Sequence, residues 1–204
     1  MRVEVFLEEL SAEAALRNLL PGLLGSAWTC RFHVFDGKHD LLEELPSRLR
    51  GLARRLPPTS RILVLVDEDR EDCVAIKSAL EDAAEQAGLS TKSGVGEGPF
   101  QVVNRVAVEE LEAWFLGDTQ ALLAAYPEVP PDLGSRRPYG DPDAVTGGTS
   151  EALERVLQRA GYYAAGMPKI EVARNISSHM DPLRNSSHSF QVFVSGVQAI
   201  AESV

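Results

Sequence analysis

Glu8, Asp67 and Asp69 are side chains whose types and spacing could act together chemically. Glu8 and Glu9 close the segment "RVEVFLEE", and "DED" at 67–69 directly follows the apolar run Ile62 to Val66. An uninterrupted β-branched run bounded by polar residues reads as a strand buried on both faces, the kind found inside a parallel sheet. Its carboxyl end opens onto the rim, where ligands bind in open α/β sheets. Two carboxylates about 4 Å apart repel by roughly 4 kcal/mol at an effective dielectric of 20, so such a cluster takes up a proton or binds a cation. Oxygen-only ligands favour Mg2+ or Mn2+ over zinc, and His33, His39, His179 and His188 show no zinc-type spacing. A cation held there could bind a phosphate oxygen and activate water.

The elements that must carry these residues alternate along the first half. After the first strand, Ser11 can cap a helix bearing Ala12, Ala15, Leu16, Leu19 and Leu20 on one face, until Pro21 and Gly22 interrupt it. "TCRFHVFD" alternates as a second strand, and Leu41, Leu42, Leu45, Leu49, Leu52 and Leu56 then repeat at helical spacing up to Pro57-Pro58. The Ile62 strand follows, then a helix over 72–87 ending at Gly88, then a strand over 100–108 running into the helical "EELEAWFLGD". This βαβαβαβ order predicts an α/β fold with parallel strands and right-handed crossovers. We assign 1–118 to that core and 119–204 to a loop-rich, helical C-terminal extension packed on it. Within the extension, "GSRRPYGDPDAVTGGTS" reads as a loop or mobile flap, and short helices follow over 151–160, 169–178 and 190–203.

The formal charge of -10 excludes a histone-like, charge-driven nucleic-acid binder. It leaves room for a nucleic-acid enzyme, since a cation site carries its own carboxylates and basic residues gather elsewhere, as in "SRLRGLARR". No apolar run approaches a membrane span, and the N-terminus enters a strand without a signal pattern, which predicts a cytoplasmic protein. Cys30 and Cys73, on a candidate strand and helix, read as buried free thiols.

Further candidates surround the acidic rim. Glu112 and Glu109 fall near it if a helix starts about Val108, with Leu111, Trp114 and Phe115 as core anchors. Arg105, on a strand otherwise suited to burial, needs a carboxylate or an anionic ligand. Lys38 in "GKHD" could neutralise a phosphate from the end of the second strand. Lys169 and Arg184 could touch a nucleic-acid backbone, while Ser187 or Ser189 reads as a helix cap.

Taken in order, "LEELSAEAAL", "GKHDLL", "LVDEDREDC", "RVAVEELEAWFLGD" and "PKIEVARNISSHMDPLRNSSHSF" resemble the DUF4276 family, a bacterial Toprim-like group. Toprim domains of topoisomerases, primases and OLD-family nucleases place a glutamate after the first strand and Asp-x-Asp after the third. Glu8, Asp67 and Asp69 match those positions, whereas Glu9 stands where glycine is usual. The resemblance implies a Rossmannoid core and a Mg2+- or Mn2+-dependent phosphodiesterase or nuclease acting on DNA or RNA. Glu8 is then general base or metal ligand, Asp67 and Asp69 are metal ligands, and Glu112 is a supporting ligand. It also implies a place in a defence-type system beside an ATPase. One alternative is a non-catalytic Toprim-fold subunit that docks an ATPase or other partner. Another is a receiver-like protein phosphorylated on Asp67. The glycine-free, acidic turn "EELSAE" argues against a dinucleotide site.

Overall fold

A computed structural model describes residues 1–145 and 147–203. Strands β1 (Arg2–Leu7), β2 (Thr29–Val34), β3 (Ser60–Asp67) and β4 (Val102–Ala107) form one sheet in the order β2-β1-β3-β4, with every pairing parallel. Every residue of β3 is buried, as its unbroken apolar run requires of a strand covered on both faces. Helices α1 (Leu10–Leu24), α2 (Lys38–Ala53) and α3 (Cys73–Gln86) make the crossovers, and the short α4 (Lys92–Val95) precedes β4. Beyond β4 come α5 (Glu112–Leu116), α6 (Thr119–Ala125), α7 (Thr149–Arg159), α8 (Lys169–Ser177) and α9 (His188–Glu202).

Alternation along the strands divides the core into two layers. Val3, Val5, Leu7, Leu63, Leu65 and Val103 face α1 and the C-terminal helices, in a cluster that includes Trp114, Phe115, Phe190 and Phe193. Phe6, Ile62, Val64, Val66 and Val102 face the other way, against α2 and α3. The α/β expectation therefore holds: a Rossmann-like parallel core with helices on both faces and a helical C-terminal segment. Among the described residues no helix is long and apolar enough to cross a membrane.

Several boundaries differ from those expected. Pro21 and Pro46 lie inside α1 and α2. Proline removes one helix hydrogen bond and crowds the preceding turn, a cost of about 3 kcal/mol in a helix interior. Pro21 falls in the last turn of α1, and the buried stripe Leu41, Leu45, Leu49 and Leu52 holds α2 through Pro46. Ser11 is no cap; Glu9 holds that position and Ser11 Oγ donates to the Glu9 carboxylate. Residues 108–111 form a turn, so α5 begins only at Glu112. Glu109 there has a positive φ of 60°.

The glycine-rich segment is pinned rather than a free flap. Val129, Leu133 and Val145 are buried, and Asp143 accepts hydrogen bonds from Ser187 Oγ (2.7 Å) and Ser189 N (2.9 Å) at the start of α9. Thr146, within that segment, lies outside the described residues. Ser187 caps α9 through Phe190 N, as expected. Both cysteines are free thiols, but half-buried rather than buried.

Candidate metal and phosphate site

The strand order places the topological switch between β1 and β3. From β1 the chain leaves towards β2 on one side, and from β3 towards β4 on the other, so the two exits open a crevice at the carboxyl ends. Leu7 pairs with Leu65, which brings Glu8 beside Asp67. Glu8 Oε1 accepts a hydrogen bond from the Asp67 backbone N–H at 3.3 Å. Asp67 continues the alternation of Leu63 and Leu65, towards the C-terminal helices. Glu112 and Lys169, the first residues of α5 and α8, meet the crevice from that side, with Lys169 Nζ 3.7 Å from Glu112 Oε1.

Glu8, Asp67 and Glu112 are 6%, 7% and 2% exposed. Burial pushes the Glu8 carboxyl from 4.5 up to about 7, aided by the charge of Asp69 and opposed by a hydrogen bond to the Asp67 side chain. Burial raises Asp67 well above its ordinary value, and Glu8, Glu112 and Glu9 add to this, while a hydrogen bond with the Leu111 backbone opposes it. Burial also lifts Glu112 to about 7, against the opposing charge of Lys169. Burial alone would lower the Lys169 ammonium, but Glu112, Glu9, Glu110 and Asp67 outweigh it and raise it. Two carboxylate oxygens, Glu8 Oε2 and Glu112 Oε2, are buried without a hydrogen-bond partner. Such an oxygen is costly unless protonated or matched by a cation.

Asp69 meets this group only through its charge on Glu8. Its backbone is left-handed (φ 58°), and its carboxylate turns outward to Lys38 Nζ at 2.9 Å. Lys38 also binds Glu71 at 2.9 Å and donates to the carbonyls of Asp67 (3.1 Å) and Glu68 (2.9 Å). An ammonium has three protons, and here they are engaged in clamping the β3–α3 turn. Asp72 caps α3 through Val74 N and Ala75 N. Glu68 accepts from Glu109 N at 2.9 Å, lacing the two acidic turns together.

Arg105 is also placed elsewhere. Its guanidinium donates to the carbonyls of Val192 (2.9 Å) and Asn104 (2.8 Å) and lies against Gly196 of α9, and the carboxylate it feels is Glu81. Carbonyl oxygens thus accept its hydrogen bonds, while the carboxylate the sequence called for, Glu81, acts through its charge. Arg184 pairs with buried Asp118 through Nε at 2.7 Å and a terminal nitrogen at 2.9 Å. Glu9 is the rim residue that sequence reasoning undervalued, since its charge acts on Glu8, Asp67, Glu112 and Lys169 alike. Its backbone is extended, so the turn requires no glycine.

Among the described residues no group of three or more His, Cys, Asp or Glu is arranged to hold a metal ion. Glu8 and Asp67 adjoin, but Asp69 faces Lys38 and Glu112 faces Lys169. The donor set nonetheless suits a hard cation, because its two unpartnered buried oxygens are carboxylate oxygens. A cleft of about 400 Å3, lined by Glu8, Glu9, Asp36 and Lys169 among others, opens beside them.

No curated protein and no solved structure gives a significant match to the chain. The family described as Domain of unknown function (DUF4276) matches residues 7–198. That span takes in both strand ends of the rim and the helices facing them, and the chain belongs to this family.

Proposed function

We propose that the rim is the active site of a Toprim-like phosphodiesterase that cleaves nucleic acid with Mg2+ or Mn2+. The observation that carries this reading is the pair of unpartnered, buried oxygens on Glu8 and Glu112, on either side of Asp67 at a topological switch point. Glu8 and Asp67 would hold the cation, with Glu112 completing the set after a side-chain rotation and Asp69 joining it on release from Lys38. A bound Mg2+ or Mn2+ would supply Lewis acidity towards a phosphate oxygen and a water of lowered pKa. The chain supplies the rest. Where Glu8 stays off the cation, its carboxylate can take a proton from an attacking water. Lys169, partly exposed over Glu112, can pair with the phosphate.

The test is titration calorimetry with Mn2+ and Mg2+ at pH 7–8, together with hydrolysis of bis(p-nitrophenyl) phosphate. Saturable binding and cleavage, both lost in Glu8→Gln and Asp67→Asn proteins that remain folded, are expected. Unimpaired cleavage by either variant would remove the assignment.

The Lys38–Asp69 pair favours a second reading, because it occupies the carboxylate of the second aspartate of Asp-x-Asp. Under it the chain is a non-catalytic Toprim-fold subunit that docks an ATPase or other partner. Absence of saturable metal binding would select it. A phosphoacceptor role for Asp67 is disfavoured, since a receiver-like site calls for a lysine after a fifth strand and, among the described residues, the sheet has four strands.

A further inference from the structure

Beside the acidic cleft, helices α1 and α8 form a second depression. Asn18 Nδ2 pins the two helices by donating to the Arg174 carbonyl and to Ser177 Oγ, each at 2.9 Å. The groove along this seam, about 420 Å3, is lined by Leu10, Glu13, Arg17, Ile170 and Arg174. Leu10 and Ile170 also line the acidic cleft, so the two depressions share a wall. Both side chains are exposed, at 54% and 41%.

The charge of this ledge is opposite to that of the molecule. The chain carries -10 overall, yet the groove is lined by Arg17 and Arg174 with Glu13 as its single acid, while Lys169 lines the adjoining cleft together with Glu8, Glu9 and Asp36. Arg17 is held in place, its guanidinium bonded to Glu13 and stacked 4.6 Å above the Phe32 ring. Among the described residues Arg174 has no ion pair, although it is exposed. Cations that flank exposed apolar side chains suit a ligand with regularly spaced anions and flat apolar faces. A single-stranded polynucleotide has both, whereas a duplex stacks its base faces away from the surface.

We infer that the α1–α8 ledge carries a single-stranded polynucleotide out of the acidic cleft, with Arg17 and Arg174 on its phosphates and Leu10 and Ile170 under its bases. The inference rests on the phosphodiesterase reading of the adjoining rim. It names residues that fix substrate register and length without taking part in the chemistry.

The probe is a fluorescein-labelled single-stranded oligonucleotide read by anisotropy with Ca2+ in the buffer, against a duplex of the same length. The single strand should bind more tightly. The Arg17→Ala/Arg174→Ala protein should bind it at least tenfold more weakly, and Arg17→Lys/Arg174→Lys should restore most of the loss. The slope of log affinity against log salt should shrink by about 0.7 for each phosphate contact removed. An Ile170→Asp protein should weaken binding independently. No binding by the wild type, stronger binding of duplex, or wild-type affinity in the double alanine protein would each overturn the ledge. An acidic protein bound there instead would appear as no oligonucleotide binding. Hydrolysis of bis(p-nitrophenyl) phosphate, which is too short to reach Arg174, judges the rim chemistry separately. Its absence alongside intact oligonucleotide binding would sink the enzyme and leave the ledge.

Discussion

Glu8 and Glu112 keep their protons into the neutral range because each is buried, Glu8 among like charges and Glu112 with one partly exposed lysine. Each has a folded-state pKa above its unfolded value. Folding is therefore favoured while the proton is held, fully so below about pH 4.5, and that contribution is lost as pH rises through about 7. An isolated group shifted this far is worth on the order of 3 kcal/mol, and less where neighbours titrate together. The thermal midpoint should thus fall between pH 5 and pH 8, and Glu112→Gln should flatten that fall. Equal slopes in the two proteins would show that Glu112 is not the buried acid described. Saturating Mn2+ at pH 8 should raise the wild-type midpoint and leave Glu8→Gln unchanged, read by the same melts. At this scale the sequence disclosed Glu8, Asp67, Asp69 and Lys38 as residues of one rim but not the pairing of the last two. Their ion pair depends on a left-handed backbone at Asp69 that no spacing rule announces.

Element by element, the strands and long helices were legible because buried faces repeat with period 2 or 3.6, and packing reinforces the pattern. Proline and short helices were less so. Pro46 is tolerated in α2 because a buried leucine stripe offsets its missing donor. The start of α5 slipped from Val108 to Glu112 because Glu68 binds the Glu109 backbone and fixes a turn there. The segment over 134–150 looked loose by composition, yet Asp143 ties it to α9 through Ser187 and Ser189, and Trp114 Nε1 donates to Ser189 Oγ at 3.0 Å. Asp143→Ala removes those contacts and leaves the Ser189 backbone N–H without its acceptor. It should cost about 2–3 kcal/mol and speed tryptic cleavage after Arg136, since Arg137 precedes Pro138 and is not cut. Cleavage at the wild-type rate would mean that the loop is held by its apolar residues alone.

Across the whole molecule one hydrophobic cluster runs from Val3, Val5 and Leu7 of β1 through Trp114 to Phe190, Phe193 and Ile200 of α9. Trp114 is fully buried, with its ring 5.2 Å from Phe190 and 4.8 Å from Phe193. Trp114→Ala should cost about 3–5 kcal/mol and lower a single cooperative transition by circular dichroism. A fragment ending at residue 118 should lack near-ultraviolet ellipticity, because it exposes one face of the sheet and half of that cluster. A folded, monomeric fragment would show that the first 118 residues close their own core. The sequence by itself determined the element order, the parallel sheet and the two acidic strand ends, because strand burial and helix periodicity are local signals. Only the tertiary structure decided which carboxylates meet, that Glu112 and Lys169 join Glu8 and Asp67 while Asp69 turns away, and that the C-terminal helices complete the crevice. Those choices depend on contacts between residues far apart in the chain, where side-chain direction and competing ion pairs, rather than residue type, set the outcome.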